Sequence, residues 1–324
     1  MSNPVSAKLR PGQVVVTGSV AFDNIMDFPG FFRDHILADK AHVINISFLV
    51  EKLSRQRGGC AANIAYTLAM LGEKPRIVAA VGDDFGEYQS WLGRQGVDTS
   101  AIAVFEEQMT ACCFITSDRD HCQITGFYPG AMSKAREISV VERAGREPAM
   151  VLIAPDDPEA MVRHCREARE GGLPFLFDPS FQVIAFDGET LAAAAEGAMA
   201  IVVNDYEFSV LREKTGKSAE EIQHEHDLVV VTYGKEGSEI LLRDGGSVKV
   251  PAAKVADVID PTGAGDAFRG GFVAGLMQGR SLEVAGRMGA IAAVYCIEKY
   301  GTSNHRYTPE QFFARYRDNF GEPS

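Results

Sequence analysis

The sequence lacks the excess of positive charge that binding to nucleic acid or to an anionic membrane requires. Its 44 acidic side chains outnumber 32 basic ones, and the formal net charge is −12. Such a field repels phosphate backbones, so neither nucleic acid nor a membrane surface is an expected partner. The same field repels small polyanions on average, so a site for one in this chain must depend on local hydrogen-bond donors and metal ions.

Signals for export and for membrane insertion are also missing. No run of about 18 apolar residues occurs, and the first residues have no apolar stretch of the kind that a signal peptide carries. None of the six cysteines belongs to a C-x-x-C pair. In a chain of this length they are typical of reduced, small apolar side chains. We therefore expect a cytoplasmic protein.

Short β-branched runs alternate with longer helical stretches along most of the chain, and neither a low-complexity linker nor an internal repeat interrupts them. Residues 201–203 and 229–231 do not alternate polar with apolar side chains. That pattern favours strands covered on both faces, as in a parallel sheet between helix layers. The sequence therefore predicts an α/β fold with a doubly wound, mostly parallel sheet flanked by helices.

The bounds of the predicted elements follow from these runs and from apolar residues at helical spacing. The strands are expected at residues 13–17, 76–81, 150–154, 174–177, 200–203 and 228–232. The helices are expected at residues 61–71, 86–95, 158–170, 190–196, 206–215, 264–279, 282–298 and 309–319.

Two segments depart from the alternation. Residues 19–50 mix acidic residues, a proline and phenylalanines, and residues 101–128 are typical of consecutive strands. Consecutive strands favour antiparallel pairing and a small separate sheet, which we interpret as a lid inserted into the α/β body. An exposed strand edge would equally suit a homodimer through the lid, and the sequence does not decide between closure and dimerisation.

The most informative segment is DPTGAGDAF at residues 260–268, which opens an apolar helix. Its glycines allow a sharp turn whose N–H groups point outward at a helix N-terminus, a favourable place for a phosphoryl group. Asp266 lies in the first turn of that helix, where a carboxylate can accept the proton of an attacking hydroxyl. Such turns are common, however, and an Asp there usually only stabilises the helix. Taken alone, the segment gives both interpretations equal weight.

Two better-known phosphate-binding motifs are excluded. The dinucleotide fingerprint G-x-G-x-x-G needs a glycine where this chain has Phe268, and no G-x-x-x-x-G-K-[ST] segment of the Walker type occurs. A nucleotide site in this chain must therefore be of another kind.

The segment at 260–268 and several others together resemble the signatures of the ribokinase-like family, also called the PfkB carbohydrate kinase family. The other segments are GSVAFD at 18–23, GGCAAN at 58–63, VGDDFG at 81–86, NDYE at 204–207 and TYGKEG at 232–237. They occur in the family's order and extend over nearly the whole chain. The resemblance implies an ATP-dependent kinase in which residues 1–324 form a single domain with a small β-sheet lid.

The resemblance also assigns the catalytic groups. It implies that Asp266 is the general base, and that the N–H groups of Gly263, Ala264 and Gly265 form an anion hole for the transferred group. Phosphoryl transfer requires mostly positioning and charge stabilisation, which agrees with this assignment.

On the nucleotide side, the resemblance implies that Asn204 and Glu207 order Mg²⁺, through water molecules, together with the triphosphate of ATP. It also implies that Thr232, Gly234 and Gly237 contact ATP. A structural interpretation exists for each set. Asn204 could be a helix N-cap with Glu207 at N3, and the glycines could form a tight turn into the next strand.

On the acceptor side, the resemblance makes Asp23 a ligand for sugar hydroxyls, because a carboxylate can accept from two neighbouring hydroxyl groups. Gly58, Gly59 and Asn63 would line the same pocket. Without the resemblance, the two glycines would be interpreted as a loop before a helix.

Asp260 and Thr262, with residues 299–304, resemble a monovalent-cation site found in part of the family. Carboxylate and carbonyl oxygens would suit K⁺. The sequence does not show whether such a site is occupied.

The expected acceptor is a nucleoside, with the 5′-hydroxyl of adenosine as the leading candidate. Bases stack on aromatic faces, whereas free sugars bind chiefly through hydrogen bonds. The aromatic residues of the presumed lid and its rim are Phe22, Phe28, Phe31, Phe32, Phe48, Phe114, Phe127 and Tyr128. The FYPGA run at 127–131 also resembles bacterial and archaeal nucleoside-kinase members of the family. These rings could instead fill the interface between lid and body, so a kinase of ribose, fructose or a related carbohydrate is the alternative.

Overall fold

The structure, a computed structural model, describes residues 5, 7–35, 47–120, 122–145 and 148–323. The strands in these ranges are β1 (Val14–Thr17), β2 (Ala21–Asp27), β3 (Lys52–Gly58), β4 (Arg76–Val78), β5 (Ala80–Gly82), β6 (Ala103–Phe105), β7 (Ala111–Ser117), β8 (Gln123–Tyr128), β9 (Met150–Ile153), β10 (Phe175–Phe177), β11 (Ala200–Asn204), β12 (Leu228–Thr232), β13 (Ser238–Leu242) and β14 (Ser247–Val250). The α-helices are α1 (Cys60–Met70), α2 (Gly86–Arg94), α3 (Val140–Arg143), α4 (Pro158–Glu170), α5 (Gly188–Ala195), α6 (Asp205–Thr215), α7 (Ala219–Glu225), α8 (Ala264–Met277), α9 (Leu282–Ile297) and α10 (Pro309–Phe320).

The central sheet has eight strands in the order β14-β13-β12-β11-β10-β9-β1-β4. Pairing is parallel from β4 to β12 and antiparallel for β13 and β14. In β1, Val14 and Val16 face a core shared with α1, α8 and α9, whereas Val15 faces a second core shared with α4, α5 and α6. Both faces of the sheet are therefore covered, which explains why its strands show no polar alternation. The predicted doubly wound, mostly parallel fold is confirmed.

The predicted helices are confirmed to within about two residues at each end, and so are most of the predicted strands. The exception is residues 76–81, which contain two strands in different sheets. Only β4 belongs to the central sheet, because the chain then turns so that β5 pairs with β6. Within the part of the chain that the structure describes, none of the helices is both long and apolar enough to cross a membrane.

A separate sheet of four strands has the order β3-β2-β7-β8. We call it the small sheet. β2 pairs antiparallel with β3 and parallel with β7, and β7 pairs antiparallel with β8. Of the predicted lid segments, 19–50 contributes β2 and 101–128 contributes β7 and β8, whereas β6 pairs outside this sheet and β3 follows residue 50. Residues 36–46 of the first segment lie outside the described residues.

The carboxyl ends of the parallel strands lie along one edge of the central sheet. β11 ends at Asn204 and β12 at Thr232, and these two residues are direct neighbours in the register. β10 is followed by Asp178 at the same edge. In open α/β sheets ligands bind outside this edge, so the fold places the predicted nucleotide residues where a ligand is expected.

Candidate active site

The glycine turn lies at the start of α8. Gly263 is the N-cap residue with φ +79° and ψ 0°, a left-handed conformation that glycine adopts without strain. A Cβ at this position would lie 2.9 Å from the side chain of Thr302 and 3.4 Å from Sγ of Cys296. The backbone conformation and the neighbouring loop therefore both require glycine here.

The amides of this turn differ in their bonding. The N–H of Ala264 donates to the carbonyl oxygen of Pro261 over 3.3 Å, which is a long and weak bond. Within the described residues, the N–H groups of Gly263 and Gly265 donate to no protein acceptor. Free donors and the helix dipole together favour an anion at this end of α8. The anion hole stays a prediction, and the geometry of the turn is compatible with it.

Asp260 ties the turn to a second loop. One carboxylate oxygen accepts from the N–H of Thr262 over 2.9 Å, and the other accepts from the N–H of Gly301 over 2.9 Å. These bonds give Asp260 a structural role. Each oxygen keeps a further lone pair, so the donor set also fits a monovalent cation, and that site stays a prediction.

Asp266 lies beside Asn63 of α1. The amide Nδ2 of Asn63 donates to Oδ2 of Asp266 over 2.9 Å, and the hydroxyl of Thr302 donates to Oδ1 of Asn63 over 2.8 Å. A chain of hydrogen bonds thus links a loop near the C-terminus, the first helix and the predicted base. The structure brings together Asp266 and Asn63, which the sequence assigned separately to catalysis and to the acceptor pocket.

The environment of Asp266 raises its pKa above the usual value for an aspartate. Burial is the main cause, and the charge of Arg269 with hydrogen bonds from Asn63 and Cys60 partly opposes it. A base with a moderately raised pKa accepts a proton more readily in the transition state. The carboxylate therefore has the chemistry that the predicted role requires.

Asp23 faces the same region from the small sheet. Burial, followed by the negative charges of Asp260 and Asp266, raises the pKa of Asp23 to about 6. A Cβ at residue 58 would collide with Oδ2 of Asp23, so Gly58 allows this carboxylate its position. Gly59 has φ +96° and packs against the backbone of residues 19–21, which indicates that it shapes the start of α1.

On the nucleotide side, Asn204 and Glu207 form a capping box at the start of α6. The side chain of Asn204 accepts from the N–H of Glu207 over 2.8 Å, and the side chain of Glu207 accepts from the N–H of Asn204 over 2.8 Å. The structural interpretation of this pair is therefore present in the fold. The hydroxyl of Ser180 also donates to Glu207, over 3.3 Å.

The residues after β12 form a tight turn. Gly234 and Gly237 have φ values of +56° and +100°, and a Cβ at Gly237 would collide with the backbone of Val250. Nothing lies within 4 Å of a Cβ at Gly234. Thr232 lies beside Asn204 at the edge of the sheet. Contact of these residues with ATP stays a prediction.

Mg²⁺ is bound by oxygen ligands, and the nucleotide side of the site offers few of them. Among the described residues, no group of three or more acidic, His or Cys side chains is arranged to hold a metal ion. Mg²⁺ usually keeps several water ligands and needs few carboxylates. Glu207 fits the ion as a carboxylate that acts through water, which is how the sequence assigned it.

Sequence reasoning missed three side chains at this site. Arg269 lies three residues after Asp266 on α8 and contacts Asp178, the residue that follows β10. Thr302 orients Asn63. The one signal available in the sequence was Arg269, a basic residue within the apolar run of α8. Buried charges are normally paired, so such a residue indicates an acidic partner elsewhere in the chain.

Comparison with known proteins identifies the family of this chain. The model of the pfkB family carbohydrate kinase matches residues 17–309. The nucleoside kinase of Methanothermobacter thermautotrophicus is 30% identical over 311 residues, which cover 95% of this chain and 96% of that protein. The 5-dehydro-2-deoxygluconokinase of Bacillus subtilis is 26% identical over 279 residues, covering 80% of this chain and 86% of that protein.

A solved structure resembles the chain over its whole length. Burkholderia thailandensis nucleoside kinase in complex with ADP-inosine has a TM-score of 0.83 and 38% identity, and the match covers 96% of this chain and 97% of that chain. The chain therefore belongs to the pfkB family of carbohydrate kinases, has the ribokinase-like fold, and is a kinase.

Proposed function

We propose that the protein is an ATP-dependent kinase of nucleosides, which transfers the γ-phosphate of ATP to the 5′-hydroxyl of adenosine or a close relative. The Methanothermobacter and Burkholderia nucleoside kinases support the acceptor class, and ADP in the Burkholderia complex supports ATP as the donor. A carbohydrate kinase is the second candidate, because the gluconokinase also matches most of the chain.

One observation on the small sheet favours the nucleoside. Asp23 of β2 is paired with Cys113 of β7, and Cys113 is paired with Phe127 of β8. Residues directly opposite each other on neighbouring strands have side chains on the same face. The ring of Phe127 therefore lies on the face that carries Asp23, roughly 10 Å away across two strand spacings. It is 52% exposed, so a base attached to a sugar at Asp23 could stack on it.

The other aromatic residues of this region are less suited to that role. Phe28, Phe32 and Phe48 pack against one another with ring centroids 4.8–5.7 Å apart. Phe114 is 47% exposed but lies opposite Asn24, one residue beyond Asp23, and so points to the other face. The first three rings therefore pack on one another, whereas Phe127 lies apart from them.

The proposed mechanism uses the contacts around Asp266. Asp23 would accept hydrogen bonds from sugar hydroxyls and hold the reacting hydroxyl near Asp266. As the acceptor oxygen bonds to the γ-phosphorus, the bond from phosphorus to the bridging oxygen of ADP breaks, and the hydroxyl proton passes to Asp266. The amides of Gly263 and Gly265 would stabilise the charge on the transferred group. Mg²⁺, ordered by Glu207 through water, would neutralise charge on the phosphates.

An acceptor panel at fixed MgATP tests the proposal. Adenosine, inosine, ribose and fructose are compared by ADP release and by isolation of the phosphorylated product. We expect turnover of at least one nucleoside and much slower turnover of both sugars. Turnover of ribose or fructose, with none for any nucleoside, would overturn the nucleoside assignment and favour the second candidate.

The base is tested in the same assay. Asp266→Asn should lose about 10²–10⁴-fold in kcat, because an amide cannot accept the proton. Asp318→Asn, an exposed position on α10, is the control and should keep the wild-type rate. A near-wild-type rate for Asp266→Asn would eliminate the base.

Phe127 gives a test of acceptor recognition. Phe127→Ala should raise KM for a nucleoside, because base stacking contributes about 1–3 kcal/mol, and it should leave KM for MgATP unchanged. Phe114→Ala removes a ring of similar exposure from the opposite face and serves as the matched control. Equal effects of the two variants would contradict the stacking role.

The small sheet is proposed to act as a lid that closes over the acceptor and excludes water. Its outer strand, β8, is exposed along its whole length, so a homodimer through this edge is the alternative. Hydrogen exchange decides between them. Amides of β8 that become protected only with acceptor indicate closure, whereas protection that depends on protein concentration indicates dimerisation.

We also propose that Asp260 and Thr262 bind K⁺, which would stabilise the turn before Asp266. Turnover in KCl is compared with turnover in choline chloride at equal ionic strength. Equal rates would remove the cation from the proposal.

A further inference from the structure

A buried arginine lies among the acidic residues of the site, and the mechanism above gives it no role. Arg269 belongs to α8 and follows Asp266 by three positions, so both side chains lie on one face of the helix. Its side chain is 7% exposed, and that of its partner Asp178 is 0% exposed. A charged pair this deep in the protein needs an explanation, because desolvation is costly.

Arg269 contacts two carboxylates from two other elements. Its Nη2 donates to Oδ1 of Asp178 over 2.6 Å, and its Nε contacts Oδ2 of the same carboxylate. The same Nη2 lies 4.0 Å from Oε2 of Glu207. The guanidinium therefore joins the helix that carries the base to the strand end at Asp178 and to the start of α6.

The segment after Asp178 makes a second connection to Glu207. Ser180 has φ +42°, a conformation that is uncommon for a residue with a side chain, and its hydroxyl donates to Glu207 over 3.3 Å. Backbone strain of this kind persists where the surrounding structure over-determines it. Residues 178–180 thus contact Arg269 at one end and Glu207 at the other.

The electrostatics of the cluster require a cation. Asp178, Glu207 and Asp266 are three carboxyl groups, and Arg269 supplies one positive charge among them. Burial raises the pKa of Asp178 to about 7, and the charge of Arg269 opposes that rise. The charge of Arg269 likewise opposes the rise in the pKa of Asp266. The single guanidinium therefore stabilises the charged forms of both aspartates.

We propose that Arg269 is a positioning residue that holds the base Asp266 and the nucleotide-side carboxylate Glu207 in one arrangement, through its pair with Asp178. It acts on the reaction through these carboxylates and contacts neither substrate. The inference rests on the proposed function, since it assigns Asp266 and Glu207 the roles given above. The alternative is a purely structural ion pair that stabilises the core.

The groups that surround Asp266 must be known before its titration can be interpreted. The titratable groups whose charge acts on Asp266, or on which its charge acts, are Asp23 of β2, Cys60 of α1, Asp178 after β10, Arg269 of α8 and Cys296 of α9. Arg269 is the cation of this set. Loss of the charge of Arg269 therefore raises the pKa of Asp266. Activity that needs the ionised carboxylate then begins to fall at a higher pH as the solution is made more acidic, which moves the acidic limb of the kcat–pH profile to higher pH.

The experiment compares Arg269→Gln, Arg269→Lys and the double variant D178N/R269Q with wild type. The double variant removes both charges and so avoids the unpaired buried carboxylate that can unfold the single variant. For each protein, kcat, KM for the acceptor, KM for MgATP, the kcat–pH profile and the melting temperature are measured. The control is R76Q/D98N, which removes another Arg–Asp pair that lies at the edge strand β4.

We expect the glutamine variants to lose about 10²-fold in kcat, the size that a small misplacement of reacting groups produces, with KM for the acceptor changed by less than about threefold. In Arg269→Gln the acidic limb of the kcat–pH profile should move to higher pH, whereas in D178N/R269Q it should move less, because loss of the negative charge of Asp178 opposes the rise in the pKa of Asp266. Arg269→Lys should restore the limb but only part of kcat, because an ammonium cannot place one nitrogen at each oxygen of Asp178 as the guanidinium does. The control should match wild type in all kinetic terms.

Two outcomes overturn the inference. A lower melting temperature with unchanged kcat and an unmoved acidic limb indicates a structural pair only. Absence of wild-type turnover with every acceptor overturns both proposals together.

Wild-type turnover with a sugar and with no nucleoside overturns only the nucleoside proposal. The Arg269 variants are then measured with that sugar as the acceptor.

Discussion

Asn63 and Asp266, 203 positions apart in the sequence, are joined by a hydrogen bond of 2.9 Å from the amide nitrogen of one to the carboxylate of the other. A carboxylate can only accept hydrogen bonds, so the amide nitrogen of Asn63 faces Asp266, and the amide oxygen of Asn63 lies 2.8 Å from the hydroxyl of Thr302. Asn63 thus orients the base by one hydrogen bond and is itself in contact with Thr302. A change at Asn63 should therefore affect the base directly.

Asn63→Asp is expected to inactivate the enzyme near neutral pH and to move the acidic limb of its kcat–pH profile upward. Two carboxylates that share a site cannot both ionise easily, so one pKa rises strongly, and a protonated Asp266 cannot accept a proton. Asn63→Leu removes the hydrogen bond without adding charge and should lower kcat with a smaller shift of the limb. Identical pH profiles for Asn63→Asp and wild type would show that the two side chains are not coupled.

Gly263→Ala should lower both stability and activity, whereas Gly279→Ala should lower only stability. Both glycines have positive φ, +79° and +67°, and a left-handed residue costs about 1–2 kcal/mol with a side chain. Only at Gly263 would the new methyl group also meet Thr302 and displace the amides of the turn. Loss of one such donor costs about 10²–10³-fold in kcat. Thermal unfolding and kcat for both variants check this, and equal activities would remove the turn from catalysis.

Glu207→Gln should raise the Mg²⁺ concentration needed for half-maximal activity by about 10–100-fold, the usual effect of losing a group that orders a metal's ligands. The amide oxygen can still accept from the N–H of Asn204, so the capping box and the melting temperature should be nearly unchanged. Glu221→Gln is the matched control, because Ser218 and Glu221 form the same capping box at the exposed start of α7. An unchanged Mg²⁺ requirement in Glu207→Gln would leave the cap as the only role of this carboxylate.

The parts of the site that the sequence predicted are those specified by local chemistry. A left-handed N-cap needs glycine at 263, and Asp266 follows in the first turn of the helix, so the turn and the place of Asp266 could be inferred from nine residues. The role of Asp266 as the base came from the family resemblance and stays a prediction. The capping box at Asn204 was predictable for the same reason. Thr302 was not, because the bond that orients Asn63 joins residues 239 positions apart, and no local rule places a hydroxyl there.

The fold, too, could be predicted from the sequence only where local patterns specify it. Buried aliphatic runs identified the central strands, because both faces of that sheet are covered. The short strand β6 was predicted to belong to the lid sheet but pairs with β5, since three residues have too few side chains to reveal which face they cover. The pair of Arg269 and Asp178 was equally hidden. Each residue follows its own local pattern, and only the packing of α8 against the end of β10 brings them into contact.

Asp23 gives a prediction in which stability and function change in opposite directions. Its pKa is raised to about 6 in the folded protein, from an ordinary value of 3.8. Between these two values the folded state binds more protons than the unfolded state, so stability falls as the pH rises through this window. Above about pH 6 the charged carboxylate lowers the free energy of unfolding by an amount on the order of 3 kcal/mol.

Asp23→Asn removes that charge and should therefore raise the melting temperature at pH 8, with little change at pH 4. The same variant should bind the acceptor more weakly, because an amide accepts hydrogen bonds from sugar hydroxyls less strongly than a carboxylate does. Asp27→Asn, at the exposed end of the same strand, should leave both properties unchanged. Melting curves from pH 4 to pH 8 and KM for the acceptor provide the measurement. A stability gain that is independent of pH would mean that the charge of Asp23 is not its cause, and an unchanged KM would place the acceptor away from this carboxylate.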